Sequence, residues 1–300
     1  MAAVHAGLAF ASMARSKRHH QVPQWLLRRF CKESSEMLWM GFKNTREVRS
    51  VSVKDAFVRN DANTRTDYRS RGDGTFQQEK SDMDERILEK IDGQASNAAR
   101  ELIDFARGWR DDGPVAPRLS LETVDVCKRV IVAQARRTRE SQDRFGLVED
   151  VDDLYLDLYL ARAEEVGQRL PRREILLEDP GASAVFEVIS QNMASGNHPI
   201  LADKEREFLG PLGLHVAVLD PMTSEFVIGS HGVTITQGRN TWLPLSPDVA
   251  ISFSNRPGSI GIGKCVREFV DRHNRAALSN SAQVAGRSKL TIQALLATQD

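Results

Sequence analysis

Near Leu212 the hydrophobic pattern of the chain changes period, and that change limits what it can fold into. Before it, apolar residues recur at helical spacing over long stretches; after it come short β-branched runs separated by Pro, Gly and Asp. In the first part, Ile87, Ile91, Ala95, Ala98, Leu102 and Phe105 fall on one face of a helix predicted over residues 81–108. Ser81 stands where a cap would, with Asp84 three residues on, close to a capping box. The stretch "DDGPVAPR" ends that helix. Ser120 is the expected cap of a second, reaching to about Arg144, with Val124, Cys127, Val130, Ile131 and Ala135 as its apolar stripe. Two further helices are expected over residues 148–170 and 179–197. In the second part, "LHVAVLD", "EFVIGS", "GVTITQG" and "VAISFSN" read as a small antiparallel sheet, and "CVREFVDRHNRAALSNSAQ" returns to helix. Ahead of the helices, residues 36–60 read as two short strands and "NDANTRTDYRSRGDGTF" as a loop. The expected fold is α+β: a mostly helical single domain with a small antiparallel β-sheet in the C-terminal third. It is helical over 15–205, β-rich over 206–258 and helical again over 259–300, behind a disordered tail of residues 1–14.

Composition narrows the class of function. The 300 residues carry 41 basic and 41 acidic side chains, a formal net charge of zero. That balance argues against a protein that coats nucleic acid through bulk electrostatics. Locally it breaks down: from Met13 to Lys32 there are six basic residues (Arg15, Lys17, Arg18, Arg28, Arg29, Lys32) and no acidic one. This stretch is the expected contact for a nucleic-acid partner, or a solvated face plus a tail. Cys31, Cys127 and Cys265 are widely spaced, without a C-x-x-C, which fits a reducing cytoplasm better than a disulfide framework. Cys127 has Lys128 beside it, but the apolar stripe assigns it to the core. No run approaches the about 18 apolar residues of a membrane span, so no membrane partner is expected. The opening "MAAVHAGLAFAS" lacks the basic region of a signal peptide, and Met13 offers a second start.

Chemistry-bearing residues gather in three places. "RSKRHHQVPQWLLRRF" puts His19 and His20 just before a helix opened by Pro23, with Trp25, Leu26, Leu27 and Phe30 at core spacing. A histidine titrates near neutrality and serves as acid, base or metal ligand; a helix start attracts anions. In an extended backbone neighbouring side chains point opposite ways, so at most one of the two enters a site. The plain alternative is a histidine that packs on Trp25 or caps a backbone group. Glu85 and Asp92 lie seven apart on the first long helix, hence on one face. A carboxylate near a buried stripe needs a partner, and Arg136 or Arg137 of the next helix would serve. Held as a pair, the acids would orient a histidine or bind a divalent ion; a solvated face is the plainer reading. Gln134 and Arg137 belong to the second helix, and Arg suits bidentate recognition of phosphate or carboxylate.

The motif "RHHQVPQWLLRRF" resembles the opening of an uncharacterised bacterial family, domain of unknown function number four-two-three-eight, whose members begin His-His-x-Val-Pro. "ERILEKIDGQAS" looks like that family's helix with two acids, "AQARRTRE" like its Gln and Arg-Thr helix, and "LPLSPDVAISFS" like its Pro-Leu-Ser-Pro strand. "VREFVDRHN" looks like the helix that ends in an asparagine. Two departures stand out. Ser230-His231-Gly232-Val233 replaces the family's Ser-Asp-x-Pro, and Asp92 replaces its second Glu. The resemblance implies a shared fold; the family itself has no assigned activity.

Two readings of function follow. One is a phosphodiester hydrolase of nuclease type, with His19, His20, Glu85, Gln134 and Arg137 converging on a substrate phosphate. The other is a non-enzymatic nucleic-acid- or protein-binding module, in which the histidines lock the N-terminal helix onto the core. The residues leave open whether the chain is an enzyme.

Overall fold

The computed structural model describes residues 18–32, 34–60, 65–70, 76–81, 83–112, 119–137, 209–220, 224–236 and 241–298. The side chains of Arg18, Asp112, Arg136 and residues 65–90 lie outside that description. So do the expected tail of residues 1–14, the end of the second helix beyond Arg137, and both helices expected over 148–170 and 179–197.

The chain opens with strand β1 (Arg18–His20), a short helix α1 (Gln24–Leu27) and a 3-10 turn, Arg28–Phe30. Pro23 is the residue just before α1 rather than its first helical residue, and its carbonyl accepts from the Leu26 and Leu27 amides, both at 3.1 Å. Strands β2 (Met37–Phe42), β3 (Glu47–Ser52) and β4 (Val58–Asn60) follow. The stretch read as a loop is a hairpin instead, β5 (Arg65–Ser70) paired antiparallel with β6 (Phe76–Ser81). Its polar residues and glycines mimic a loop in sequence, while cross-strand backbone hydrogen bonds, which polarity does not report, make it a ladder. Ser81 therefore ends a strand. The long helix α2 runs Met83–Asp112, and α3 runs Leu121–Arg136 with Ser120 as its cap, its hydroxyl accepting from the Thr123 amide at 3.0 Å.

After the helices come β7 (Gly213–Leu219), β8 (Ile228–Gly229), β9 (Thr234–Ile235), β10 (Thr241–Ser246), β11 (Val249–Ser254) and β12 (Ile260–Cys265). Helix α4 (Arg267–Asn280), β13 (Gln283–Gly286) and helix α5 (Lys289–Ala297) close the chain. The expected mostly helical architecture gives way to a more even mixture. Sheet is not confined to the C-terminal third, and the segment expected to be helical from 259 onward contains two strands. One sheet has the order β12-β7-β11-β10-β9 and is mixed, because β12 runs parallel to β7. The other, β3-β2-β13-β8, joins N-terminal strands to a C-terminal one through the pairing of Phe42 with Gln283 and of Trp39 with Gly286.

The parallel pairing requires the chain to cross over the start of β7. There the Gly213 backbone passes so close that a Cβ would meet the Arg256 carbonyl oxygen at 2.2 Å.

Strand periodicity explains the layers. Val216, Val218, Leu243, Leu245, Val249 and Ile251 share one core cluster with Leu102 and Ile103 of α2 and Ile131 of α3. Their neighbours Ala217, Leu219, Trp242 and Ala250 point the other way, onto Val270 of α4. Being covered on both faces, these strands read as nearly continuous apolar runs. The predicted α3 stripe is buried at every position: Val124, Cys127, Val130, Ile131 and Ala135. Burial pushes the Cys127 thiol up to about 12, so it is core, as its place on the stripe implied.

Charge ties α2 to the sheet. Asp248, in the β10–β11 turn, accepts from Arg107 Nε and Nη2 at 2.8 and 2.7 Å, from Arg110 at 3.3 Å, and from the Ser246 hydroxyl at 2.7 Å. Burial pushes its carboxyl up, but those hydrogen bonds and charges outweigh burial and hold it below the usual range. Lys128 of α3 reaches the Leu209 and Leu212 carbonyls at 3.0 and 3.2 Å, just before β7.

Between the mixed sheet and α4, His215, Trp242, Phe269, Phe226 and His273 form a chain of edge-to-face rings with centroids 5.0 to 6.3 Å apart. His273 is fully buried, and neither ring nitrogen has a hydrogen-bond partner. Burial pushes its imidazole down from 6.5 to about 4, against a weak opposing pull from the Val227 backbone, which forms no proper hydrogen bond with it. The unfolded chain therefore binds a proton at His273 that the folded chain refuses. Stability associated with this residue is full above about pH 6.5 and is lost as pH falls toward about 4. His273→Leu removes that titration and two orphaned polar atoms. Thermal melts between those pH values are expected to lose part of their pH slope in the variant; an unchanged slope would contradict the assignment.

Candidate functional site

The site grows from the first described strand. In β1, His19 pairs with Arg59 and His20 with Val58 of β4, and the Gln21 amide donates to the Phe57 carbonyl at 2.9 Å. Alternation along this strand buries His19 completely and leaves His20 half-buried, so one of the two histidines faces outward, as an extended backbone dictates. Gln24, four residues further, places its amide nitrogen 2.8 Å from His20 Nε2.

Helix α2 lies alongside α1. The Trp25 indole donates to Asp92 Oδ1 at 3.2 Å, and Arg29 donates to the Ser96 carbonyl at 2.9 Å. Both contacts join residues 67 positions apart, so the two helices run in the same direction here. Arg29 also lies 5.8 Å over the Trp25 ring. Burial lowers its guanidinium, with Asp104 pulling the other way. Trp25, placed by its spacing in the core, is thus half-buried with a polar edge in use.

From α3, Arg137 donates to Asp92 Oδ2 at 2.7 Å, with the guanidinium 4% exposed and the carboxylate 25%. This is the partner that the sequence demanded for an acid beside the stripe. Gln134 is buried one turn earlier. Its Nε2 donates to the Gln21 carbonyl at 2.8 Å and to the His231 carbonyl at 3.0 Å. An amide nitrogen has two hydrogens, and both are engaged.

The fourth wall is the turn after β8. Gly232 has φ +73° and its amide donates to the Gly229 carbonyl at 2.8 Å. A Cβ there would meet Gln134 Cγ and Nε2 at 2.5 Å. His231 is buried.

Of the five expected residues, Gln134 reaches the backbone just past His19 and His20, Arg137 reaches Asp92, and His20 meets Gln24. The backbone of Glu85 lies in α2, while its side chain is outside the described residues; Asp92 is the acid seen in contact. Gln24, Trp25 and Gly232 went unrecognised as site residues. No sequence signal marked the first, since His20 ends a strand and Gln24 opens a helix. Of the basic stretch, Arg28 pairs with Glu36 at 3.1 Å and Arg29 is engaged as above, while Lys32 is exposed. Among the described residues, no three His, Cys, Asp or Glu side chains gather as metal ligands, and no helix is long and apolar enough to cross a membrane.

Residues 18–197 match the model of a family described as protein of unknown function (DUF4238). The chain belongs to that family. The match opens at β1 and ends before β7, so the likeness expected along the whole chain is shown for residues 18–197. No curated protein and no solved structure matches the chain.

Gly232→Ala puts a methyl group into Gln134 and an alanine into the left-handed region. It is expected to destabilise by about 1–3 kcal/mol. Combined with Gln134→Ala, the clash disappears, leaving the backbone strain and the loss of the two Gln134 hydrogen bonds. Chemical denaturation of both singles and the double should show a double-mutant loss smaller than the sum. Simple additivity would mean that Gln134 does not abut Gly232.

Proposed function

We propose that this member of the family is a phosphodiester hydrolase of nuclease type, working at the junction of β1, α1, α2, α3 and the turn after β8. One observation carries the reading: Asp92 of α2 and Arg137, just past α3, form a largely buried ion pair, and Trp25, which donates to Asp92, is next in sequence to Gln24, which meets half-buried His20. A buried ion pair is seldom more stable than the apolar residues that would fit in its place, so its presence argues for a task other than stability. In this reading His20 takes a proton from the attacking water. Arg137 stabilises the charge that develops on the phosphoryl oxygens, sharing its guanidinium between the substrate and Asp92. Gln134 keeps the histidine segment and the His231 turn at a set distance. The basic stretch ending at Lys32 is the approach for a polynucleotide. If a divalent ion takes part, Asp92 and Glu85 are the acids available to it.

A specific observation favours a second reading. His19 is wholly buried and Gln134 engages both amide hydrogens with backbone carbonyls, which suits a lock in a binding module.

His20→Ala separates the two. The hydrolase reading expects cleavage of a polynucleotide or a simple aryl phosphodiester by the wild-type chain. In the variant that rate should drop about a hundredfold or more, with Tm moved by no more than a few degrees. A wild-type chain that cleaves neither substrate, with and without added magnesium or manganese, overturns the hydrolase. A large fall in Tm in the variant then supports the lock.

A further inference from the structure

The imidazole at position 20 has a neighbour that determines which of its nitrogens carries the proton. Residues 20, 24 and 28 are spaced four apart, from the end of β1 through the start of α1 to the 3-10 turn, and their side chains form a ladder. Gln24 Nε2 lies 2.8 Å from His20 Nε2. The other end of the same carboxamide, Oε1, accepts from Arg28 Nη2 at 3.1 Å. Arg28 in turn is gripped by Glu36, whose two oxygens accept from Arg28 Nε at 3.1 and 3.3 Å.

The donor inventory leaves one arrangement. A guanidinium only donates, so the Gln24 atom facing it must be the oxygen, and the atom facing His20 must be the NH2. An amide NH2 only donates, so His20 Nε2 must accept. A neutral imidazole has one accepting and one donating nitrogen, which leaves the hydrogen on Nδ1, a buried atom whose desolvation this arrangement has to bear. We propose that Gln24, oriented by Arg28, is the positioning residue of His20: it holds Nε2 as the accepting nitrogen and puts the ring's own proton on Nδ1.

This deepens the hydrolase reading and rests on it only for its use. In that reading Nε2 is the nitrogen that takes the proton from water, and the Gln24 N–H occupies the place of that water's O–H at rest. Protonating Nε2 would set two donors face to face at 2.8 Å, so the carboxamide must turn over and break from Arg28. Glu36 and Arg28 are about half exposed, at 59% and 47%. The outer rung of the ladder is therefore a weak, salt-screened pair that can yield when the ring is charged.

The test reads the tautomer directly. The full chain is labelled with nitrogen-15 histidine, and His20 is assigned by the loss of its signals in His20→Gln. At about pH 8, where an ordinary imidazole is neutral, the wild type should show a pyridine-like Nε2 and a pyrrole-like Nδ1. A protonated Nε2 in the wild type overturns the proposal without any variant. In Gln24→Glu the carboxylate accepts only, and a proton should appear on Nε2; an unchanged pattern overturns the proposal. In Gln24→Met, similar in size but without donor or acceptor, the two neutral tautomers should mix; retention of the single Nδ1–H form also overturns it. Phosphodiester cleavage is assayed on the same samples. The Nδ1–H pattern without cleavage removes the hydrolase and leaves the Gln24 assignment standing; cleavage with Nε2–H does the reverse.

Discussion

The Gln134 carboxamide holds together two segments that lie far apart in the sequence. Its two hydrogens reach the Gln21 carbonyl, on the chain just past the histidines, and the His231 carbonyl, in the turn after β8. Those carbonyls are 210 positions apart in the chain, and helix α3 supplies the link. A buried carbonyl left without a donor costs on the order of 1–3 kcal/mol, and the loss of this one side chain would take a donor from a buried carbonyl at His231 and a partly buried one at Gln21. The same turn has no side chain at Gly232, because Gln134 already fills that space. Clamp and glycine are one device.

Helix α2 is the second constraint, and it works through charge at both ends. Near its start Asp92 accepts from Trp25 and Arg137; near its end Arg107 and Arg110 donate to Asp248. Apolar contacts with the sheet, through Leu102 and Ile103, lie between these polar anchors. Hydrophobic burial is non-directional and leaves a helix free to slide or rotate a little. Charge-assisted hydrogen bonds with defined geometry remove that freedom. The site benefits, since the position of Asp92 along α2 decides whether it meets both Trp25 and Arg137.

How much of this was legible in the sequence depends on the kind of force involved. The stripes of α2 and α3 were readable because one apolar face at helical spacing is a local pattern, and so was the need of Asp92 for an arginine. The cap at Ser120 was readable for the same reason. The β5–β6 hairpin was not, since its residues look like those of a loop and its stability lies in backbone pairing. Neither was the pairing of β2 with β13, which joins strands from opposite ends of the chain. The parallel seat of β12 was not legible either, since the glycines of "IGIGKC" weaken its strand signal. In the site, His19 and His20 drew attention as residue types, but what is seen to hold them is the backbone pairing of β1 with β4 and, for His20, the Gln24 amide. Those carry no sequence signature.

The turn at 231 shows why geometry and motif have to be weighed separately. The resemblance leads one to expect Ser-Asp-x-Pro there, and this chain has Ser230-His231-Gly232-Val233. If the acid were the functional element, the replacement would remove it. Yet Gln134 contacts residue 231 through its main-chain carbonyl, which every amino acid supplies. What the clamp demands next is a residue without a Cβ, and Gly232 meets that demand. The junction therefore tolerates histidine in place of aspartate as far as its architecture goes. The exchange alters only which side chain is buried there, replacing a carboxylate with an imidazole.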